Sequence, residues 1–259
     1  MRAILRSGFL ALAIMLALAV SANAGPLEDG KAALDRGDYA TALKFWQPLA
    51  ERGHAKAQGL LGLMYSKGRG VPEDFSEAAK WFRRAAEQGI AETQFYLGIM
   101  YGEGVGVPKD HVEAAKWLGK AAEQGHTEAQ YSLGVIYADS IGVPQNDSEA
   151  VKWYLMAAEQ GDAAAQYNLS YMYETGRGVP QDDAEAVKWL HKAAEQGDAE
   201  AQNNLGRSYG EGRGVPQDDA LAYMWFSIAA AHGYERAPGL PRRSNHSGKP
   251  VTGKASDAR

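Results

Sequence analysis

The 259-residue sequence contains no cysteine. That excludes disulfides, thiolate zinc sites, iron–sulfur clusters and a cysteine nucleophile. Basic charge is also short. There are 27 Lys and Arg against 32 Asp and Glu, a net charge of -5, the wrong sign for a nucleic-acid-binding surface. Strand signals are absent throughout. Histidine offers no metal site: His54, His111, His126, His191, His232 and His246 form neither an HExxH motif nor a close pair with ligand spacing, and surface solvation is their expected state. No Gly-Lys-Ser/Thr follows the Gly-x-Gly segments, so a phosphate cradle is not expected. The abundant carboxylates supply no recognisable acid/base pair. No catalytic residue and no cofactor is expected, and the reading is of a non-enzyme.

Only one long apolar run exists, Phe9 to Val20, behind the basic Arg2 and Arg6. At twelve residues it is shorter than the roughly 20 needed to span a bilayer. Ala22-Asn23-Ala24 follows with the small–x–small pattern of a signal-peptidase site. Residues 1–24 are therefore expected to be a signal peptide cut before Gly25, with an uncleaved anchor as the alternative. Export to the periplasm, or beyond the cell, is the expected outcome. Loss of two arginines would take the charge to -7, divided between an acidic body and a basic tail over residues 234–259, where six Lys and Arg face two acids.

What the sequence has in abundance is periodicity. Gly53, Gly89, Gly125, Gly161, Gly197 and Gly233 recur every 36 residues, as do Trp81, Trp117, Trp153, Trp189 and Trp225. The same period places Pro72, Pro108, Pro144, Pro180 and Pro216. Five full repeats are delimited, 54–89, 90–125, 126–161, 162–197 and 198–233, preceded by a divergent unit over 25–53. Each repeat holds two apolar stripes at helical spacing, such as Ala91, Gln94, Leu97, Tyr101 and then Ala114, Trp117, Ala121. Gly104-Val105-Gly106-Val107-Pro108 separates these two with a turn. Asp110 and Glu113 are placed for a reciprocal capping box at the second helix. Gly62, Gly98, Gly134 and Gly206 leave room for close helix approach, and the tryptophans fill the core between repeats. The architecture read from this is all-α: antiparallel helix pairs stacked into one continuous core.

The pattern A-x-x-Q-x-x-L-G-x-x-Y-x-x-G-x-G-V-P-x-D-x-x-x-A-x-x-W-x-x-x-A-A-E-Q-G, which Ala91 to Gly125 follow almost letter for letter, resembles the Sel-one-like repeat (SLR), a subclass of the tetratricopeptide-like (TPR) repeats. Ser140 and Ser170 depart from it, each standing where the pattern has Gly. Gly37-Asp38-Tyr39-Ala40-Thr41-Ala42 looks more like an ordinary tetratricopeptide unit serving as an N-terminal cap. The resemblance implies a right-handed α-solenoid acting as an adaptor that binds proteins. Cysteine-rich relatives described as β-lactamase-like suggest an alternative, a cell-wall or β-lactam hydrolase. This chain lacks those cysteines and has no Ser-x-x-Lys or Lys-Thr-Gly. A secreted factor engaging host proteins is the other alternative.

The residues that vary between repeats mark the candidate site. Around the core Leu of each first helix they form three rows: Gly59, Phe95, Tyr131, Tyr167, Asn203 two positions before it; Leu60, Tyr96, Ser132, Asn168, Asn204 one before; Leu63, Ile99, Val135, Tyr171, Arg207 two after. At helical spacing these share a face. Tyr96, Tyr131, Tyr167 and Tyr171 are the expected anchors of a groove for a protein or peptide, with Asn168, Asn204 and Arg207 binding backbone or carboxylate groups. Equally, some of these tyrosines could pack between neighbouring first helices. At the far end Pro238 and Pro241 stop a helix begun at Tyr234. The tail beyond reads as disordered, and the helix carrying Trp225 is left either with an irregular cap or as a face for a partner or a second copy.

Overall fold

Each apolar stripe folds as one helix. The computed structural model describes residues 25–234; the expected signal peptide and, past Tyr234, the basic tail lie outside the described residues. Twelve helices follow one another: α1 (Pro26–Asp35), α2 (Tyr39–Glu51), α3 (Ala55–Ser66), α4 (Phe75–Glu87), α5 (Ala91–Glu103), α6 (His111–Glu123), α7 (Thr127–Ala138), α8 (Asp147–Glu159), α9 (Ala163–Thr175), α10 (Asp183–Glu195), α11 (Ala199–Glu211) and α12 (Asp219–Ala231). No strand occurs among the described residues, and none of their helices is long and apolar enough to cross a membrane. Odd-numbered helices are the first of each unit and even-numbered helices the second. Each packs on its predecessor and its successor, and α7 also meets α9. The result is an all-α solenoid.

Second helices start where the aspartates predict. The Asp110 carboxylate accepts from the backbone N–H groups of Val112 and Glu113, as Asp218 does from Ala220 and Leu221, while the side-chain oxygens of Asp74, Asn146 and Asp182 each accept one N–H, from Glu77, Glu149 and Glu185. The reciprocal half of the box does not form. The Asp110 N–H donates to the Tyr101 carbonyl at 2.9 Å, and Asp74, Asn146, Asp182 and Asp218 likewise donate to Tyr65, Tyr137, Tyr173 and Tyr209. With that donor satisfied, Glu113 turns outward to Lys116 at 2.8 Å and to the Trp117 indole at 3.1 Å.

The core is built across the seams between units. Trp117 packs on Leu97 of its own unit and Ala86 of the preceding one, and Trp153 and Trp189 repeat the arrangement. A Cβ at Gly98 would stand 2.7 Å from Leu118, and at Gly134 2.5 Å from Tyr154, so glycine sets the distance between the two helices of a unit. A second glycine sets the distance between units. Gly106 and Gly178 adopt φ of +70° and +72°, and a Cβ on either would strike the first residue, Phe75 or Asp147, of the preceding unit's second helix.

A buried glutamine bonds each seam. Gln94 donates to the Ala86 carbonyl at 2.9 Å, while its own oxygen accepts from Gln124 at 2.7 Å. Thus one amide of α5 joins the C-terminal ends of α4 and α6. Gln58, Gln130 and Gln166 repeat the relay. At the last rung the second amide is replaced by His232, whose Nδ1 lies 2.9 Å from the Gln202 oxygen. Beyond it, α12 buries only Ala222 and Ala229, and Tyr223 and Met224 are 42% and 40% exposed.

Candidate functional site

The three variable rows occupy the first-helix face and do different work there. The row two positions before the core Leu reaches toward the following unit. The Phe95 ring stacks on His126 with centroids 4.6 Å apart, Tyr131 lies beside Asn168, and the Tyr167 hydroxyl accepts from Asn204 at 3.3 Å. The row one position before faces back: Tyr96 stacks on Phe82 of the preceding unit at 5.3 Å. Packing between neighbouring first helices thus engages Tyr131 and Tyr167, while Tyr96 packs on the preceding second helix, α4. The row two positions after the Leu is the most open, with Tyr171 46% exposed and Ile99 and Arg207 also exposed.

His126 and His191 depart from the surface solvation expected of the histidines, whereas His54 and His232 are exposed. His54 and His126 stand at helix starts, where each Nδ1 accepts a backbone N–H from Ala57 or Ala129. The opposite His126 nitrogen meets Glu92 at 3.1 Å. His191 pairs with the Tyr209 hydroxyl at 3.0 Å, and burial lowers its pKa. An imidazole that replaces a capping carboxylate or joins a tyrosine is held by the fold rather than by water. Among the described residues no group of three or more His, Asp or Glu is placed to hold a metal ion.

Among the described residues, two sizeable concavities are lined by side chains of this face. The first, about 390 Å³, lies where α1, α3 and α5 meet, and is walled by Leu27, Leu34, Leu60, Leu63, Phe82 and Tyr96. Gly59 stands on its wall where the next three repeats have Phe95, Tyr131 and Tyr167, and the Thr93 methyl is packed against it, 2.9 Å from where a Cβ on Gly59 would lie. The second, about 260 Å³, lies between α7, α8 and α9 and is lined by Tyr131, Asp139, Tyr154, Asn168, Tyr171 and Arg177 among others.

The electrostatics of the second pocket are asymmetric. Arg177 is already engaged, by two bonds to Asp147 at 2.6 and 3.2 Å and a third to the Ala138 carbonyl at 3.2 Å. That pairing holds the Asp147 carboxyl below its usual pKa. The Asp139 carboxylate has no hydrogen bond or ion pair among the described residues, and its charge helps raise the pKa of Tyr131 and Tyr154, for which burial is the larger cause. Both phenols therefore stay neutral donors at ordinary pH.

The fold gathers Tyr131, Asn168 and Tyr171 into this one pocket. It places Tyr96 two first helices away at the apolar cleft, and Tyr167, Asn204 and Arg207 in a separate chain of contacts. In that chain Arg207 donates to the Asn204 side chain at 3.3 Å and lies 4.0 Å from Glu174, which Arg213 holds at 2.6 Å. Sequence reasoning missed the apolar cleft, whose walls come from three different units. It also missed Asp139 and Arg177, which a single repeat does not relate to the row residues.

The family model for the Sel1 repeat matches six consecutive segments, 22–54, 55–90, 91–126, 127–162, 163–198 and 199–234, the first covering the unit expected as a divergent cap. Among solved structures, a Sel1 repeat protein from Oxalobacter formigenes is 37% identical with a TM-score of 0.74, over 82% of this chain and 84% of that one. The protective antigen c5321 of uropathogenic Escherichia coli, which displays an SLR fold, is 38% identical with a TM-score of 0.77, over 80% of this chain but only 45% of its own length. No curated protein matches the sequence.

Proposed function

The chain belongs to the Sel1 repeat family, whose helical scaffold commonly serves protein–protein interaction, and we propose that this member is an exported adaptor or regulator. It acts by binding, and it presents its first-helix face to a protein or peptide. The observation that carries this is the open row ending in Tyr171 and Arg207 beside a 260 Å³ pocket lined by tyrosine and asparagine. Such side chains combine rigid contact area with adaptable hydrogen bonding, as binding surfaces do. Tyr171 and Asn168 are the contact residues; Tyr96, Tyr131, Tyr167, Asn204 and Arg207 shape the surface and contribute to it. Export rests on the pattern of residues 1–24, and the periplasm is the destination proposed.

The test is in-cell crosslinking and affinity capture of the protein, run beside the Tyr171→Ala and Asn168→Ala variants. A partner recovered at least tenfold less by variants that keep the wild-type melting temperature supports the reading. Equal recovery would move the site off this face. Cell fractionation with N-terminal sequencing tests export, and a mature protein beginning at Gly25 is the expected result. The likeness to a protective antigen favours a second reading, a secreted factor that engages host proteins; accumulation in culture medium with none in the periplasm would select it.

A further inference from the structure

Building on the proposed binding face, we propose that its partner is an extended cationic segment with a bulky apolar residue and a Lys or Arg about six residues apart. The apolar residue occupies the cleft between α1, α3 and α5, and the cation occupies the pocket between α7, α8 and α9.

The cleft argues for its occupant by its walls. Leu27, Leu34, Leu60, Leu63 and the Tyr96 and Phe82 rings line it, and its volume of about 390 Å³ falls within the range of roughly 300–1,000 Å³ that ligand pockets span. Burying apolar surface there gives about 25 cal/mol per Å², and no buried polar group on its floor demands a partner.

The pocket argues for a cation by its charge. Arg177 is neutralised by Asp147 in a two-point ion pair, so the free charge at the pocket is the Asp139 carboxylate. Tyr131, Tyr154 and Tyr171 supply π faces and hydroxyls around it, and an ammonium or guanidinium on such faces gains cation–π attraction. The larger field has the same sign: residues 25–234 hold 19 Lys and Arg against 30 Asp and Glu, a net charge of -11, which draws a cationic segment in and repels an acidic one. The first helices add the exposed Glu92, which lines the cleft, and Glu128, respectively 3.1 and 3.3 Å from His126.

The spacing follows from the repeat. Packed helices lie about 8–10 Å apart, and the two cavities are separated by about two repeats, hence by about 20 Å. An extended chain covers about 3.3 Å per residue, which gives about six residues between the anchors.

A phage-displayed library of random twelve-residue peptides, selected on the purified protein at low salt, tests this directly. Enriched sequences are expected to pair a Leu, Ile, Met or aromatic residue with a Lys or Arg at a separation of five to seven. Their affinity should fall about tenfold with Asp139→Asn, and as far with Leu63→Trp, which fills the cleft; raising the salt should weaken wild type more than Asp139→Asn. Thermal melts identify any variant that fails to fold, and Asp139, exposed at a helix end, gives the cleaner result. Peptides that depend on Tyr171 but not on Asp139 or Leu63, or that are acidic, would overturn this inference and leave the binding face standing. Absence of any enriched peptide would bring down both. Competition by a synthetic peptide of residues 235–259, with its six Lys and Arg, distinguishes this chain's own tail as the occupant, and tail binding stronger than every selected peptide would overturn the assignment to a separate partner.

Discussion

At the scale of single residues the clearest deviation is Ser140. It occupies the left-handed position, φ +58°, that Gly104, Gly176 and Gly212 fill in other repeats. A side chain there costs about 1–2 kcal/mol, against which Ser140 sets one exposed hydrogen bond to the Val143 carbonyl at 3.1 Å. Ser140→Gly is therefore expected to stabilise the protein by about 1 kcal/mol, read as a higher midpoint of chemical denaturation. An unchanged or lower midpoint would mean that the hydroxyl bond outweighs the backbone strain. Glycine positions were legible in the sequence because the backbone requirement is local. The roles of histidine were not: whether His126 faces water or caps a helix and stacks on Phe95 depends on an element 31 residues away, which no local pattern reports.

At the scale of elements, helices and their starts could be read from stripes and aspartates, since both are written within one turn or two. What escaped was the destination of the second donor at each start. The Asp110 N–H is claimed by Tyr101 across the loop, and only a folded turn brings that carbonyl near. The glutamines were similarly half legible. Gln94 sits on an apolar stripe and reads as a face position, but its function is to bond two helices from different units. Gln130→Met, which keeps the volume and removes both bonds, should expose the difference. It removes one of the bonds to the Ala122 carbonyl, which keeps the Gly125 N–H, and one from the exposed Gln160 amide, at a cost of about 1 kcal/mol. A loss below about 0.5 kcal/mol in the denaturation midpoint would show that water or a rotated Gln160 replaces the relay.

At the scale of the molecule the period was legible and the cavities were not. Thirty-six residues fix which side chains meet at a seam, so stacking follows from the sequence alone. The apolar cleft is assembled from residues of α1, α3 and α5, and Gly59 acquires meaning only once Thr93 of α5 is packed against it. The seam chemistry makes a strong expectation about length. Deleting residues 127–162 joins units whose Gln relays remain in register, so the shortened chain should keep its helicity per residue by circular dichroism and unfold cooperatively. Its melting temperature should fall, because stability in such arrays is a sum over units and interfaces and because Arg177 would lose Asp147. The pocket of Tyr131, Asp139 and Tyr154 would be lost with the unit.

The glutamine relay has a cost as well. Because every seam offers the same amide and the same carbonyl, the relay carries no address: one unit can accept any other, including one from a second molecule during synthesis or refolding, the characteristic hazard of repeat chains. The distinguishing marks lie in the variable rows, where Phe95 with His126 sets one junction apart, while Tyr131 with Asn168 and Tyr167 with Asn204 repeat one pairing at the next two. The residues proposed to face a partner are thus partly the ones that tell the chain which neighbour is its own, and a change made to alter recognition also changes the order in which the units find one another.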